Sequence, residues 1–304
     1  MTRTPLTALL DAHRTVILDG AMGTELDRRG VAMSLPLWSA GALISSPETV
    51  RQIHSDYIAA GADIITANTF RTTARTFRIA GLADRSAELT CLAVSLAREA
   101  RASFPSRQTL IAGSVAPLED CYRPERVPPL EVLRSEHARI ADGLAEAGVD
   151  FLLLETMGTV REAWAASEAA RRTGLEFVVS FLCDARGCLY GGEPLGEALG
   201  KVLSFSPSAV AINCISPRTL APALGRLQDA LRTSPDTRLV AAGVYANVGV
   251  PGSEHGSLLT TDVTEEEYAE FARGWVQSGV RIIGGCCGTT PEYILSLHRA
   301  LGRI

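Results

Sequence analysis

Short apolar runs rich in β-branched residues recur along the chain, and between them the apolar positions spread to a helical period. The runs are VILD (16–19), DIITA (63–67), TLIAGS (109–114), FLLLE (151–155), EFVVSF (176–181), AVAINC (209–214), RLVAAG (238–243) and VRIIGG (280–285), each of strand length. The stretches between them carry helix punctuation. Ser46 and Pro47 precede ETVRQIHSDYIAAG, Thr264 and Glu267 are spaced as a capping box, and Thr290 and Pro291 precede EYILSLHRAL. Gly61, Gly148, Gly174 and Gly279 stand where helices stop before the next run. Eight strand-helix units with no linker between them predict an α/β fold, a single (β/α)8 TIM-type barrel domain over residues 1–304. A doubly wound open sheet uses the same alternation, but DGAMGTEL (19–26) lacks the phosphate fingerprint G-x-G-x-x-G.

Composition narrows the partners. With 304 residues, 46% of them hydrophobic, the chain has material for a large core. The net charge of -5 comes without a run of Lys or Arg, so neither nucleic acid nor an anionic membrane is an expected partner. No stretch is long enough to span a bilayer. An N-terminal patch of Leu6, Leu9 and Leu10 is broken by Asp11 and His13 and does not make a signal peptide. Seven cysteines follow no regular framework, which points to the reducing cytoplasm and to free thiols.

In such barrels the chemistry sits at the C-terminal ends of the strands. Here those ends carry Asp19 and Gly20, Asn68, Ser114, Glu155, Cys183, Cys214, Tyr245 with Asn247, and Cys286 with Cys287. Cys214 ends the sixth strand and the doublet ends the eighth, one strand apart around the ring, so the three thiols can converge. Neighbouring residues on a strand face opposite ways, and two adjacent cysteines share a metal only where the backbone leaves strand geometry. Gly284, Gly285 and Gly288 are expected to supply that freedom. Zn²⁺ takes four tetrahedral ligands, and three from the protein leave one position for a substrate thiol. Elsewhere a cysteine is ordinarily a small buried hydrophobe, the reading given to Cys91, Cys183 and Cys188, while Cys121 lies in a loop and is read as incidental.

Five segments together, LDGAMGTEL, GADIITANTF, FLLLET, INC and GGCCGTTPE, resemble the homocysteine S-methyltransferase family, in order and over nearly the whole chain. The resemblance implies an enzyme that moves a methyl group onto the sulfur of homocysteine, giving methionine, with zinc as cofactor. It implies Cys214, Cys286 and Cys287 as zinc ligands, the set already reached from strand positions. It further implies that Glu155 takes the substrate amino group. The turn Asp19, Gly20, Ala21, Met22, Gly23 and Thr24 would take its polar end through backbone groups. On the residues alone, Glu155 at the mouth of a core equally fits a pair with an arginine, and the glycines equally fit a plain turn. Asn68 is either a donor at the rim or a turn residue. His255, in the loop after the seventh strand, is read as a loop histidine.

The methyl donor is expected to be a small onium compound. LPLWSA (35–40) resembles the S-methylmethionine-using branch, and Trp38 offers a ring face to a cation or packs as an ordinary aromatic. Tyr245 and Asn247 join Trp38 as candidates for the donor side. TANTF and CCGTTPE resemble the homocysteine module of the cobalamin-dependent enzyme, but that enzyme needs further domains and this chain ends with its eighth helix. Thr156 stands where betaine-using members carry an aromatic residue. S-methylmethionine or S-adenosylmethionine is therefore the favoured donor. The alternatives are a betaine-type donor, selenohomocysteine or another thiol as acceptor, or a zinc and thiol module that serves a separate corrinoid protein. Oligomeric state is left open.

Overall fold

A computed structural model describes residues 5–82, 85–233, 240–249 and 262–302. Eight parallel strands form one sheet: β1 (Val16–Ile17), β2 (Ile64–Ala67), β3 (Leu110–Val115), β4 (Phe151–Met157), β5 (Phe177–Phe181), β6 (Ala209–Asn213), β7 (Ala241–Ala246) and β8 (Ile282–Gly285). Each strand pairs with its neighbours in chain order, and β1 pairs with β8. The ring closes between β1 and β2 through the Leu18–Ile64 bridge, with Asp63 N donating to Ile17 O at 2.7 Å and Asp19 N to Ile64 O at 2.9 Å. The result is the expected (β/α)8 barrel.

Seven strands fall within or across the apolar runs read from the sequence; β7 starts at Ala241, after Val240, and residues 238 and 239 of its run lie outside the described residues. Packing sets this register. Gly243 lies opposite Ala211, and a Cβ built on it would come within 2.9 Å of the Ala211 Cβ, so the small residues AAG belong inside the crowded ring. The outer helices begin and end as the punctuation predicts. Thr264 and Glu267 exchange both bonds of a capping box. Gly148 and Gly174 take left-handed φ of 81° and 77° at the C-caps of Leu130–Ala147 and Val160–Thr173. Ser46 precedes Pro47 at the start of the helix Pro47–Ala60 but its side chain makes no cap bond.

The apolar patch near the N-terminus closes the barrel. Leu6, Leu9 and Leu10, on the helix Pro5–Ala12, pack with Val16, Phe151, Val178 and Ile282 inside the ring. Glu176, just before β5, accepts Leu6 N at 2.7 Å and Thr7 N at 3.0 Å, which fixes this plug to the N-terminal face. The opposite, C-terminal face is left open for chemistry. Among the described residues, no helix is long and apolar enough to cross a membrane.

Candidate active site

A cavity of about 310 Å³ opens at the C-terminal ends of the strands. Its floor holds the three cysteines. Cys214 Sγ lies 3.2 Å from Cys286 Sγ and 3.8 Å from Cys287 Sγ, and all three sulfurs fall within 4.8 Å of one another. Tetrahedral bonds of about 2.3 Å separate two sulfurs by about 3.8 Å, so the cluster is sized for one ion. All seven cysteines are unpaired.

The adjacent cysteines converge because the chain leaves β8 at Gly285 and turns at once. Thr289 N donates to Cys286 O at 3.1 Å, and Gly288 supplies the positive φ of 82° that the turn requires. Gly284 and Gly285 act differently from the expectation. Neither has a positive φ; they are places where a Cβ cannot fit, 2.6 Å from Leu18 Cβ and 2.2 Å from Thr289 Oγ1 respectively. On the facing side Cys214 itself takes a left-handed φ of 60°, a conformation that costs about 1–3 kcal/mol in a non-glycine residue and that aims its sulfur at the doublet.

One side chain not singled out in the sequence joins the cluster. Tyr122, in the loop after β3, places its hydroxyl 3.3 Å from Cys214 Sγ. Cys121 beside it lines the same cavity. Asn247 does not line the cavity with Trp38 and Tyr245. Its Oδ1 accepts Cys287 N at 3.1 Å. Hydrogen bonds from the Cys286 and Cys287 thiols hold Cys214 well below the usual thiol range, and Cys214 in turn pushes Cys286 and Cys287 up.

Two carboxyl groups flank the sulfurs. Glu155, half-buried near the end of β4, accepts a hydrogen bond from Ser114 Oγ. Its partner is that hydroxyl, not an arginine. Burial pushes its pKa up to about 8, the charges of Asp19 and Cys214 adding to the effect against the Ser114 bond. Asp19 is held by Thr66 N at 2.7 Å and Thr66 Oγ1 at 2.9 Å, and burial still raises its pKa to about 7. Two carboxyl groups without an ion-pair partner, beside three thiols, suit a cationic ligand, which would favour their ionised forms.

The turn after β1 lines the opposite wall. Gly20, Ala21, Met22, Gly23 and Thr24 all reach the cavity, and the helix Gly23–Arg28 starts there with N–H groups that have no intrahelical partner. A Cβ on Gly20 would lie 2.8 Å from Tyr57 and Thr289, and one on Gly23 would lie 2.2 Å from the Trp38 ring, so these glycines admit neighbouring side chains. Trp38 stands edge-on to Phe70 at 5.7 Å in the cavity wall. Asn68 also lines it, but its Nδ2 is engaged by Ser39 O at 2.9 Å. Tyr245 reaches the floor, whereas Cys183 is buried away from the cavity and Cys188 is half-buried outside it. Cys91 is exposed on the helix Ser86–Ala102, which corrects its reading as a buried hydrophobe. His255 lies outside the described residues.

Comparison with known proteins gives a consistent set of matches. The sequence profile of the family described as homocysteine S-methyltransferase matches residues 16–301. The homocysteine S-methyltransferase of Escherichia coli (strain K12) is 34% identical over 311 residues, covering 96% of this chain and 97% of the relative. Homocysteine S-methyltransferase YbgG of Bacillus subtilis (strain 168) is 32% identical over 307 residues, covering 95% of each. The crystal structure of the homocysteine methyltransferase MmuM from Escherichia coli in its metallated form superposes with a TM-score of 0.83 at 32% identity, covering 97% of this chain and 99% of that one.

Proposed function

Since this chain belongs to the homocysteine S-methyltransferase family and is a methyltransferase acting on homocysteine, we propose that its methyl donor is a small onium compound, S-methylmethionine before S-adenosylmethionine, and that its metal is zinc. The observation that carries the metal is the sulfur cluster, with separations of 3.2 and 3.8 Å and no fourth protein sulfur within it. Cys214, Cys286 and Cys287 would hold the ion. A soft, all-thiolate set selects zinc over magnesium or calcium. Zinc bound there supplies a Lewis acid that keeps the homocysteine thiol ionised near neutral pH.

The remaining tasks fall to the chain's own groups. Glu155 takes the homocysteine ammonium, a cation that relieves its burial near the end of β4. The turn from Gly20 to Thr24 takes the carboxylate through backbone N–H groups at the start of the helix Gly23–Arg28. Trp38 offers its ring to the donor cation, and Leu118 and Phe70 keep water from the reacting atoms. As the new carbon–sulfur bond forms on homocysteine, the donor's carbon–sulfur bond breaks and its electron pair stays on the donor sulfur. Anion and cation neutralise each other in that step, so walls drier than water favour it.

The chain works in this reading as one barrel domain in a reducing compartment, the cytoplasm, where its thiols stay free. The test is direct. Purified protein with one equivalent of zinc should convert homocysteine and S-methylmethionine to methionine with no corrin present. A requirement for a separate methylated corrinoid protein would overturn it.

A further inference from the structure

We propose that Arg71 is the anion-binding residue of the donor half of the cavity, gripping the carboxylate of a zwitterionic onium donor while the donor's cationic end faces Asp19 and Glu155. This rests on the small-donor reading above and adds the chemistry that selects the donor.

Asp19, Glu155 and the three sulfurs line the cavity at the strand ends, Arg71 lines it from the loop beyond the end of β2, and the exposed Arg126 lines it with Glu119 and Asp120 from the loop after β3. The Arg71 guanidinium lies 5.5 Å over the Phe70 ring, which fixes its plane. One of its nitrogens, Nη1, donates to Glu119 O at 3.2 Å. Its Nε is buried without a hydrogen-bond partner. The nearby Glu119 carboxylate does not neutralise it, because Glu119 is taken by Arg75 Nε at 2.6 Å. Among the described residues, no carboxylate forms an ion pair with Arg71.

A carboxylate is the ligand that a guanidinium lining a cavity without an ion-pair partner holds best, by charge-assisted hydrogen bonds. Homocysteine already has partners in the cavity, at Glu155 and the Gly20–Thr24 turn. The molecule within reach of Arg71 is therefore the donor. A donor with an onium centre at one end and a carboxylate at the other would set its carboxylate on Arg71 and turn its onium centre toward Asp19 and Glu155. A cation without a carboxylate would leave Arg71 unpaired.

Equilibrium titration of the zinc-loaded protein with S-methylmethionine and with trimethylsulfonium, which lacks a carboxylate, tests this. In the native protein S-methylmethionine should bind at least about tenfold more tightly than trimethylsulfonium. Arg71→Ala should remove most of that preference, Arg71→Lys should keep part of it because the charge remains without the fork, and the exposed Arg126→Ala should cost less than Arg71→Ala. In turnover, Arg71→Ala should raise the KM for S-methylmethionine about tenfold and shift that for homocysteine far less. Equal losses for both donors would mean that Arg71 merely orders the loop at Glu119, and a shift confined to homocysteine would assign it to the other substrate; either overturns the proposal. Arg71-dependent binding of S-methylmethionine without methyl transfer would instead overturn the proposed donor and leave Arg71 as a carboxylate site.

Discussion

The Tyr122 hydroxyl sits 3.3 Å from the sulfur of Cys214, across 92 residues of sequence. The ring is fixed by an edge-on contact with Tyr190 at 5.5 Å, so the hydroxyl is aimed rather than free. A donor on a ligating sulfur orients it and spreads its charge, the kind of outer contact whose loss ordinarily lowers metal affinity by about 10–100-fold. Tyr122→Phe should keep the fold, because the ring contact remains, and should lose zinc to a competing chelator at about a tenfold lower concentration. Unchanged competition would show that the hydroxyl has no hold on the site.

The three cysteines carry the strongest prediction. Cys214→Ser, Cys286→Ser and Cys287→Ser should each lose most of the bound metal, since a tetrahedral site seldom survives the loss of one of three protein ligands. The exposed Cys91 supplies the control, and Cys91→Ser should retain about one zinc per chain by elemental analysis. Full zinc in all three cluster variants would remove the site.

The convergence of the three sulfurs was legible because a barrel converts strand ends into neighbours. Once eight runs were read, Cys214 and the 286–287 doublet had to lie on one rim with only the seventh strand between them, and Asp19 and Glu155 on the same rim. Tyr122 was not legible, since the loop after β3 has no periodicity to say where its side chains point. β7 starts after Val240 for a related reason: Ala241, Ala242 and Gly243 are chosen by the crowding inside the ring rather than by β propensity. Asn247 looked like a rim residue because it follows a strand, but its amide turns back to the Cys287 backbone. The glycines around the doublet were visible, yet only Gly288 serves for its φ.

Gly285→Ala tests that last distinction. Its Cβ would lie 2.2 Å from Thr289 Oγ1, and Thr289 is the residue that donates to Cys286 O at 2.7 Å and accepts Ala21 N at 3.2 Å. Thr289 must move, taking both the metal turn and the substrate turn with it. A destabilisation of roughly 1–3 kcal/mol in denaturant titration is expected, together with weaker zinc binding. Native stability and metal content in this variant would mean that the turn yields without cost.

Glu155 predicts a pH dependence with a definite sign. Its pKa near 8 means that at neutral pH the free protein mostly holds it protonated, and it must lose that proton to pair with an ammonium. Homocysteine affinity should therefore rise as pH climbs toward about 8. Glu155→Gln should flatten this rise and raise the homocysteine KM by about tenfold or more, with zinc retained. Stability runs the other way: a carboxyl whose folded pKa is raised contributes fully below its unfolded pKa and loses that contribution as pH rises through about 8. Without substrate, Glu155→Gln should then melt higher than the native protein above pH 8, and a lower melting temperature there would contradict the burial of an unpaired carboxylate.

The donor prediction follows from space and charge together. Homocysteine and donor must share a cavity of about 310 Å³, near the lower end for small-molecule sites. The donor half is walled by Trp38, Phe70 and Leu118. S-methylmethionine fits as a compact sulfonium with a carboxylate, whereas S-adenosylmethionine has to leave its nucleoside at the mouth, near the exposed Leu35 and Ile79. Betaine has the carboxylate, but its methyl group leaves from nitrogen, a poorer leaving atom than sulfur. With zinc and no cobalamin, initial rates should rank S-methylmethionine above S-adenosylmethionine and both above betaine. Trp38→Ala should raise the KM for S-methylmethionine several-fold through the lost cation–π contact, worth about 0.5–2 kcal/mol, and change that for homocysteine less. A higher rate with betaine, or an equal effect of Trp38→Ala on both substrates, would place the onium group elsewhere in the cavity.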